Sequence, residues 1–250
     1  MKGVILGGGV GTRLSPLTEI TNKHLLPVGK EPMIWHVVKQ LVLSGITDIM
    51  VITSTHHMGA IVNSLGSGMR FGCEFTYRVQ EEAGGIAQAL ALARQFANGD
   101  KIVVILGDNV FEYSIATHVK AFREQGQGAR VLLKEVGDPE RFGIAAMDEH
   151  QILQIEEKPS RPKSNHAVVG CYMFDSQVFD IIDRVAPSGR GELEITSVNN
   201  EYIARGQLQY SFVHGRWTDA GTFEALNDAN ALLMKNDIIF LSCLPPCRLV

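Results

Sequence analysis

The stretch GVILGGGVGTRL, residues Gly3 to Leu14, decides the fold of this 250-residue chain. Its first four residues form an apolar run, which is typical of a strand buried on both faces. The glycines that follow leave backbone N–H groups unobstructed for a phosphate, and Arg13 adds a cation. The stretch therefore predicts a central strand and a phosphate-binding loop. A purely structural glycine turn remains an alternative for this stretch taken alone.

The loop does not fit the two best-known phosphate-binding motifs. Gly11 is followed by Thr12 and Arg13 instead of the Lys-Ser or Lys-Thr pair of a Walker A motif. Counted from Gly7, the third glycine of the dinucleotide fingerprint would fall on Thr12. We therefore expect a different kind of nucleotide site, with these candidate nucleotide-binding residues in the loop: Leu6, Gly8, Gly9, Gly11, Thr12 and Arg13.

The segments after the loop alternate between strand and helix patterns. Apolar runs at residues 49–53 and 102–106 predict buried strands, while residues 33–44, 57–65 and 87–96 have helical periodicity. This order predicts an α/β fold with a Rossmann-like, doubly wound, mostly parallel sheet whose ligands bind beyond the carboxyl ends of the strands.

The second half of the chain has a different pattern. Strand-like pieces occur at residues 130–135, 143–146 and 168–174, with helical stretches from residue 176 and over 192–205. We interpret them as a second lobe on the same sheet. Because no flexible linker separates the halves, residues 1–237 are predicted to form a single two-lobed domain, and residues 238–250 a tail without an assigned role.

Composition excludes several classes of protein. The net charge of −4 argues against a nucleic-acid-binding surface, so any bound phosphate is expected to belong to a small ligand. The sequence has neither a membrane-spanning stretch nor a signal-peptide pattern, which indicates the cytoplasm. The four cysteines lack the spacing of a metal cluster.

Two cations are expected at the phosphate loop. Lys23 follows Arg13 within a region that has few apolar residues of its own, which favours a role in binding phosphates. Cationic side chains around a transferred phosphoryl group are the main contribution of a protein to such chemistry. A solvated surface lysine is the alternative.

Two aspartates are candidate magnesium ligands. Asp108 directly follows the apolar strand at residues 102–106, where its carboxylate would point into the crevice, and Asp219 is a plausible second ligand. Each could instead cap a turn or a helix. Likewise, Glu157 beside Lys158 could be an exposed ion pair, and the Arg190–Thr196 segment a helix start.

Eight motifs in this order resemble the sugar-nucleotide pyrophosphorylases, and most closely the glucose-1-phosphate thymidylyltransferases. The resemblance runs from Met1 to about Asn236. It rests on LGGGVGTRLSPLT, NKHLLPV with EPMI, QEEAGGIAQAL, ILGDNVF, DPERFGIA, EEKPSRPKSNHAVVGCYMFD, GRGELEIT and WTDAGTF. The GELEIT and KPSRPKSN blocks favour the thymidylyl branch.

The resemblance implies the nucleotide-diphospho-sugar transferase type of fold, with a sugar-binding lobe. It also implies that glucose 1-phosphate attacks the α-phosphorus of dTTP with Mg²⁺ as cofactor. Since the attacking oxygen already carries charge, no general base is required.

The matching motifs imply a role for each site residue. Arg13, Lys23 and Lys158 would be catalytic, and Asp108 and Asp219 would bind the metal. Gln80 and Gly85 would hydrogen-bond the pyrimidine, beside the loop residues and Asp108. The sugar phosphate would be bound by Gly143, Glu157, Lys158, Val168, Arg190 and Thr196.

Some alternatives stay open. A uridylyl- or cytidylyltransferase on the same scaffold is one, and a non-catalytic sugar-nucleotide sensor is another. Phe142 stands where the family commonly has Tyr, which removes a hydroxyl near the sugar and could change hexose selectivity. The chain ends before the C-terminal helical region of longer members, so the resemblance gives no expectation of feedback regulation; a homo-oligomer remains possible.

Overall fold

The computed structural model describes residues 1–234. Within them, the helices are α1 Met33–Leu43, α2 Met58–Leu65, α3 Ile86–Ala91, α4 Arg94–Ala97, α5 Ala116–Glu124, α6 Val178–Ile182, α7 Ile195–Ala204 and α8 Phe223–Met234. The strands are β1 Lys2–Leu6, β2 Pro27–Val28, β3 Glu31–Pro32, β4 Asp48–Ser54, β5 Glu74–Gln80, β6 Ile102–Leu106, β7 Asn109–Phe111, β8 Ala129–Glu135, β9 Gly143–Met147, β10 Ile152–Glu157, β11 His166–Phe174, β12 Leu208–Phe212 and β13 Trp217–Asp219.

The predicted strand at the start of the chain lies in the middle of a parallel sheet. β1 pairs in parallel with β4 on one side and with β6 on the other, and β4 continues to β5. In this register Leu6 lies beside both Ile52 and Leu106. The loops that follow β1 and β6 therefore leave the sheet side by side at the carboxyl ends of their strands, which is the usual place for a ligand crevice.

Alternating side chains of the parallel strands enter two separate cores, one on each face of the sheet. Val4 and Leu6 pack in one cluster with residues of α3, α6 and α7, whereas Ile5 packs in the other with residues of α1, α2 and α5. Since successive side chains of a strand point to opposite faces, a continuous apolar run is needed to fill both cores. The expected doubly wound α/β architecture is confirmed.

The second half extends the sheet in a mixed fashion. β11 runs antiparallel to β6, β8 and β9, β10 runs antiparallel to β9, and β12 runs parallel to β8. Within residues 1–234, the main sheet has nine strands. The second lobe is therefore built on the same sheet as the parallel half, as predicted.

One predicted helix is divided in two. The helical pattern at residues 87–96 corresponds to α3 and α4, which are separated at Leu92 and Ala93. The amides of these two residues bond to carbonyls three positions earlier, Ala89 and Leu90, so the backbone tightens there into a turn.

Helix α8 is packed against the segment that follows β1. Leu226, Leu232 and Leu233 of α8 form a third cluster with Leu14 and other buried residues. The side chain of Asn230 accepts a hydrogen bond from the amide of Gly29 at 2.8 Å. α8 thus supports the segment between Leu14 and Gly29, which follows the glycine-rich loop.

The extent of the domain, residues 1–237, stays a prediction, and the proposed tail at residues 238–250 lies outside the described residues. None of the helices in residues 1–234 is long and apolar enough to cross a membrane.

Candidate active site

The glycine-rich loop is fixed at the end of the sheet by backbone contacts. The amide of Gly7 donates to the carbonyl of Ile52 at 2.7 Å, and the hydroxyl of Thr53 donates to the carbonyl of Gly7 at 3.0 Å. Gly11 has a φ of +70°, and a Cβ there would lie 3.0 Å from the Cβ of Lys23. Glycine is required at this turn because of both its left-handed backbone and the close approach of Lys23.

Lys23 and Asp108 form an ion pair where the loops after β1 and β6 meet. Nζ of Lys23 lies 2.5 Å from Oδ2 of Asp108, and both side chains are largely buried. Burial would raise the pKa of Asp108, but the charge of Lys23 and its hydrogen bond hold that pKa well below its usual range. Asp108 is therefore fully ionised at neutral pH, with its cation already in place.

Asp219 is the second carboxylate at this point. It ends β13, which pairs with β7 so that Asp219 lies opposite Asn109, next to Asp108. Burial, followed by the negative charge of Asp108, raises the pKa of Asp219 to about 6. One buried and one partly buried carboxylate that repel each other form an electrostatic environment that a cation would relieve.

Asn109 connects the parts of this carboxylate site. Its Nδ2 donates to Oδ1 of Asp108 at 3.0 Å, and its Oδ1 accepts from the indole of Trp217 at 2.8 Å and from the amide of Gly170 at 2.9 Å. A Cβ at position 170 would lie 2.5 Å from Nδ2 of Asn109, so glycine leaves the room that this side chain needs. Asn109 thus fixes Asp108 relative to β11 and β13.

His24 packs beneath the two loops. A Cβ on Gly107 would lie 2.6 Å from its ring, and its Nδ1 lies 2.7 Å from Oδ1 of Asn22. Burial, and then the charge of Lys23, lowers the pKa of His24 to about 3. The ring is neutral near pH 7 and acts as a spacer between the neighbouring strand ends.

A cavity of about 490 Å³ opens from this point across the sheet. Eight of the sequence-predicted site residues line it: Arg13, Asp108, Gly143, Glu157, Lys158, Val168, Thr196 and Asp219. They come from both halves of the chain, and a volume of this size fits a small-molecule ligand.

Four of the residues predicted to bind the sugar phosphate are connected to one another through Glu157. Oε2 of Glu157 accepts a hydrogen bond from the hydroxyl of Thr196 at 2.6 Å. Its Oε1 lies 3.7 Å from Nζ of Lys158 and 3.7 Å from Nη2 of Arg190. Lys158 has a φ of +45°, which is unusual for a residue other than glycine. Glu157 thus has a hydroxyl on one oxygen and two cations near the other.

Arg190 lies at the edge of this group. It is not among the residues that line the cavity, and it is held by Glu194, whose Oε1 accepts its Nη2 at 2.7 Å. Glu194 itself lines the cavity. The expectation that Arg190 binds the sugar phosphate therefore requires its side chain to exchange partners.

The predicted base-binding residues lie on the other side of the glycine loop. Nε2 of Gln80 is 3.4 Å from the carbonyl of Gly85 and donates to Gln88 at 2.7 Å. A Cβ on Gly8 would lie 3.1 Å from Oε1 of Gln80. Gln80 and Gly85 are thus brought together next to the loop, outside the cavity that holds the sugar-side residues.

The remaining predicted loop residues lie at the end of β1 and in the turn that follows it. A Cβ on Gly9 would lie 3.3 Å from Nζ of Lys23. Leu6 ends β1, and Thr12 and Arg13 belong to a short 3₁₀ turn, residues Thr12–Leu14, directly after Gly11. Lys23 does not line the cavity itself but reaches it through Asp108.

Two residues of the site were not selected from the sequence. Asn109 follows Asp108 directly, and Arg141 lies in the DPERFGIA motif, so their positions in motifs were the available signal. Arg141 lines the cavity, and its Nη2 lies 3.1 Å from Oδ1 of Asp219. Their roles depend on partners far away in the chain, which no local pattern shows.

The donor set suits magnesium. Within residues 1–234, no group of three or more His, Cys, Asp and Glu side chains could hold a metal ion. Mg²⁺, however, commonly takes one or two carboxylates and completes its shell with phosphates and water. Asp108 is a buried and Asp219 a partly buried oxygen donor, the two repel each other, and they fit such an ion.

Residues 2–236 match the family model described as Nucleotidyl transferase. The chain belongs to this nucleotidyltransferase family. It is 42% identical over 234 residues to a glucose-1-phosphate thymidylyltransferase of Neisseria meningitidis, an alignment that covers 92% of this chain and 81% of the relative. The corresponding enzyme of Xanthomonas campestris is 40% identical, with 91% and 79% covered.

A solved structure of a related protein agrees with this family assignment. A Bacillus anthracis protein named as a glucose-1-phosphate thymidylyltransferase, crystallised with sucrose, is 56% identical and superposes with a TM-score of 0.92. The superposition covers 96% of this chain and 97% of the other. The resemblance drawn from the eight motifs is confirmed, as is the nucleotidyltransferase class of this enzyme.

Proposed function

We propose that this nucleotidyltransferase transfers a thymidylyl group from dTTP to glucose 1-phosphate, giving dTDP-glucose and pyrophosphate. The observation that carries the proposal is the Lys23–Asp108 pair. Lys23 of this pair lies beside Gly9 of the glycine loop, and Asp108 lines the same cavity as Glu157 and Thr196. The names of the relatives supply the identity of the two substrates.

The proposed reaction is a direct displacement. A phosphate oxygen of glucose 1-phosphate forms a bond to the α-phosphorus of dTTP, and the bond from that phosphorus to the bridging oxygen of the β-phosphate breaks. Pyrophosphate leaves with the electron pair of the broken bond. The nucleophile is already an anion, so proton removal by a base is not part of the step.

The cationic side chains position the phosphates and balance their charge. Lys23 would leave Asp108 to contact the phosphates at the reacting centre, and Arg13, in the 3₁₀ turn beside the loop, would balance the charge of the triphosphate and of the leaving pyrophosphate. Lys158 would hold the phosphate of the sugar. Asp108 and Asp219 would hold Mg²⁺, which supplies charge neutralisation when bound.

The two substrates would occupy opposite sides of the carboxylates. Gln80 and Gly85 would hydrogen-bond the pyrimidine beside Gly8. Gly143, Glu157, Val168 and Thr196 would surround the hexose, and Arg190 would approach its phosphate. We place the activity in the cytoplasm, and nucleic acid is not a partner in this proposal; a homo-oligomer stays a prediction.

A panel of triphosphates tests the proposal. The protein is incubated with glucose 1-phosphate, MgCl₂ and dTTP, UTP, CTP or ATP, and pyrophosphate release is followed with a coupled assay. Release with dTTP at the highest kcat/KM is expected. Release with UTP or CTP alone contradicts the thymidylyl assignment, and no release with any triphosphate contradicts the enzyme assignment in favour of a sensor.

A further inference from the structure

Arg141 connects the metal-binding carboxylate Asp219 to a second carboxylate outside the cavity. Its Nη2 lies 3.1 Å from Oδ1 and 3.5 Å from Oδ2 of Asp219. Its Nη1 lies 2.5 Å from Oδ2 of Asp138. Because the two carboxylates contact different nitrogens of one planar guanidinium, Arg141 can keep one partner while it loses the other.

Aromatic rings hold this arginine in place. Its guanidinium lies over the ring of Phe142 at 5.1 Å, and Phe142 contacts the ring of Trp217 edge-on at 5.4 Å. Trp217 and Asp219 belong to the same short strand, β13. Arg141 is therefore fixed to the strand that carries Asp219 by packing as well as by charge.

Arg141 forms part of the wall between two cavities. It lines the active-site cavity together with Asp108, and it also lines a neighbouring cavity of about 550 Å³ together with Asp138. Asp219 lines both. The arginine thus has one carboxylate partner at the metal site and one that lies away from it.

Each of the two metal-binding carboxylates has its own cationic side chain in this structure. Asp108 is paired with Lys23, and Asp219 is paired with Arg141. A divalent cation bound by both carboxylates would make these two side chains redundant as counter-ions and would repel them. Lys23 would then turn to the substrate phosphates, and for Arg141 the remaining partner is Asp138.

We propose that Arg141 is the counter-ion of Asp219 in the metal-free protein and that a divalent cation displaces it towards Asp138. Arg141 is then a positioning residue: it neutralises Asp219 until the metal arrives and competes with the metal for that carboxylate. The inference rests on the proposed metal site at Asp108 and Asp219.

Two variants with opposite expected effects test this role. Arg141→Met removes the competitor, so the affinity for Mn²⁺ should rise by roughly 2- to 5-fold, the range of a partly exposed ion pair. Asp138→Asn removes the alternative partner and leaves Arg141 on Asp219, so the affinity should fall by a similar factor. If Arg141 only scaffolds Asp219, Arg141→Met should weaken binding.

The double variant separates the proposed exchange from a direct effect of charge. Asp138 acts through Arg141 in this proposal, so Asp138→Asn should have no further effect in the Arg141→Met background. A plain loss of negative charge near the metal would lower the affinity equally in both backgrounds. Arg141→Lys, which keeps the charge but not the fork geometry, should lie between the wild type and Arg141→Met.

The measurement is the free Mn²⁺ signal in electron paramagnetic resonance, recorded without nucleotide during titration of each protein. Circular dichroism verifies that each variant is folded, and if Arg141→Met does not fold, Asp138→Asn and Arg141→Lys still test the proposal. Tighter binding by Arg141→Met or Arg141→Lys and weaker binding by Asp138→Asn are expected. Unchanged or reversed affinities overturn the role of Arg141.

If wild-type Mn²⁺ binding is absent, or survives in Asp108→Asn and Asp219→Asn, the metal site itself is wrong and the inference is overturned with it. The pyrophosphate assay tests the substrates independently.

Discussion

Nζ of Lys23 and Oδ2 of Asp108, 85 positions apart in the chain, lie 2.5 Å from each other in a largely buried ion pair. The pair joins the loops that follow two neighbouring parallel strands, β1 and β6. It gives Asp108 a low pKa and keeps Lys23 beside Gly9 of the glycine-rich loop. The ion pair therefore joins the two loops at the centre of the site.

Replacement of this lysine should remove most of the activity. In Lys23→Met, the phosphates lose a cation and Asp108 loses its partner, so kcat should fall by roughly 10²- to 10³-fold, as for the loss of one charge-stabilising group. Lys120→Met is the matched control, because Lys120 is 77% exposed and its partner Glu124 is 4.0 Å away. Initial rates of pyrophosphate release compare the two, and equal rates would show that Lys23 has no part in the reaction.

The close approach of the Asn109 side chain to Gly170 can be tested by adding one methyl group at position 170. In Gly170→Ala, the new Cβ would lie 2.5 Å from Nδ2 of Asn109, so Asn109 must move and its hydrogen bonds to Asp108 and Trp217 are lost. We expect kcat/KM to fall at least about 10-fold and stability to fall by about 1–3 kcal/mol.

Gly126→Ala is the control for this substitution, since a Cβ at Gly126 has no neighbour within 4 Å. Steady-state rates and thermal melting are measured for both variants. The prediction fails if Gly170→Ala and Gly126→Ala behave alike.

His24 should make the protein sensitive to acid. Its pKa is lowered from 6.5 to about 3, so between these values the unfolded chain binds a proton that the folded protein does not. The contribution to stability is complete above pH 6.5 and falls as the pH drops, by about 1.4 kcal/mol per pH unit. His24→Phe keeps a ring against Gly107 and cannot titrate.

Urea unfolding at pH 7.5 and at pH 5 tests this contribution. From pH 7.5 to pH 5, the free energy of unfolding of the wild type should fall by about 2 kcal/mol more than that of His24→Phe, given the slope for one proton. The other histidines are the same in both proteins and cancel. Equal losses would mean that His24 is protonated in the folded state.

Asp219 should have the opposite pH dependence in the metal-free protein. Its pKa is raised from 3.8 to about 6, so the folded protein binds the additional proton between these values. Stability therefore decreases as the pH rises from 4 to 6 and stays lower above pH 6. Asp219→Asn removes this loss. The free energy of unfolding of the variant, relative to that of the wild type, should therefore increase by roughly 1–3 kcal/mol between pH 4 and pH 7.5. Urea unfolding in EDTA measures it, and a gain that does not change with pH contradicts the raised pKa.

The parallel half of the fold could be predicted because each of its strands is marked by the residues of the strand itself and of the loop or helix that follows. The apolar runs that became β1, β4 and β6 are continuous, and each is followed by a recognisable loop or helix. Strand β13 and the pairing of β12 with β8 could not be read in the same way. β13 is only three residues long and β12 is partly exposed, and the strands they pair with come from elsewhere in the chain.

The same distinction applies to the site. Arg13, Lys23 and Asp108 could be selected because a glycine loop and a strand end mark them in the sequence. The roles of Asn109 and Arg141 follow from Trp217, 108 positions away from Asn109, and from Asp219, 78 positions away from Arg141. The raised pKa of Asp219 also depends on its distance from Asp108 in the fold, which spacing along the chain does not give.

The most direct test of this account compares the wild type with Asp108→Asn. Both are incubated with dTTP, glucose 1-phosphate and saturating MgCl₂, and the formation of dTDP-glucose and pyrophosphate is followed by ³¹P NMR, with circular dichroism as a check of the fold. We expect equal amounts of both products from the wild type and none from a folded Asp108→Asn variant, because the proposed ligand for Mg²⁺, which is also the partner of Lys23, has lost its charge. Wild-type rates of product formation by Asp108→Asn would contradict the account.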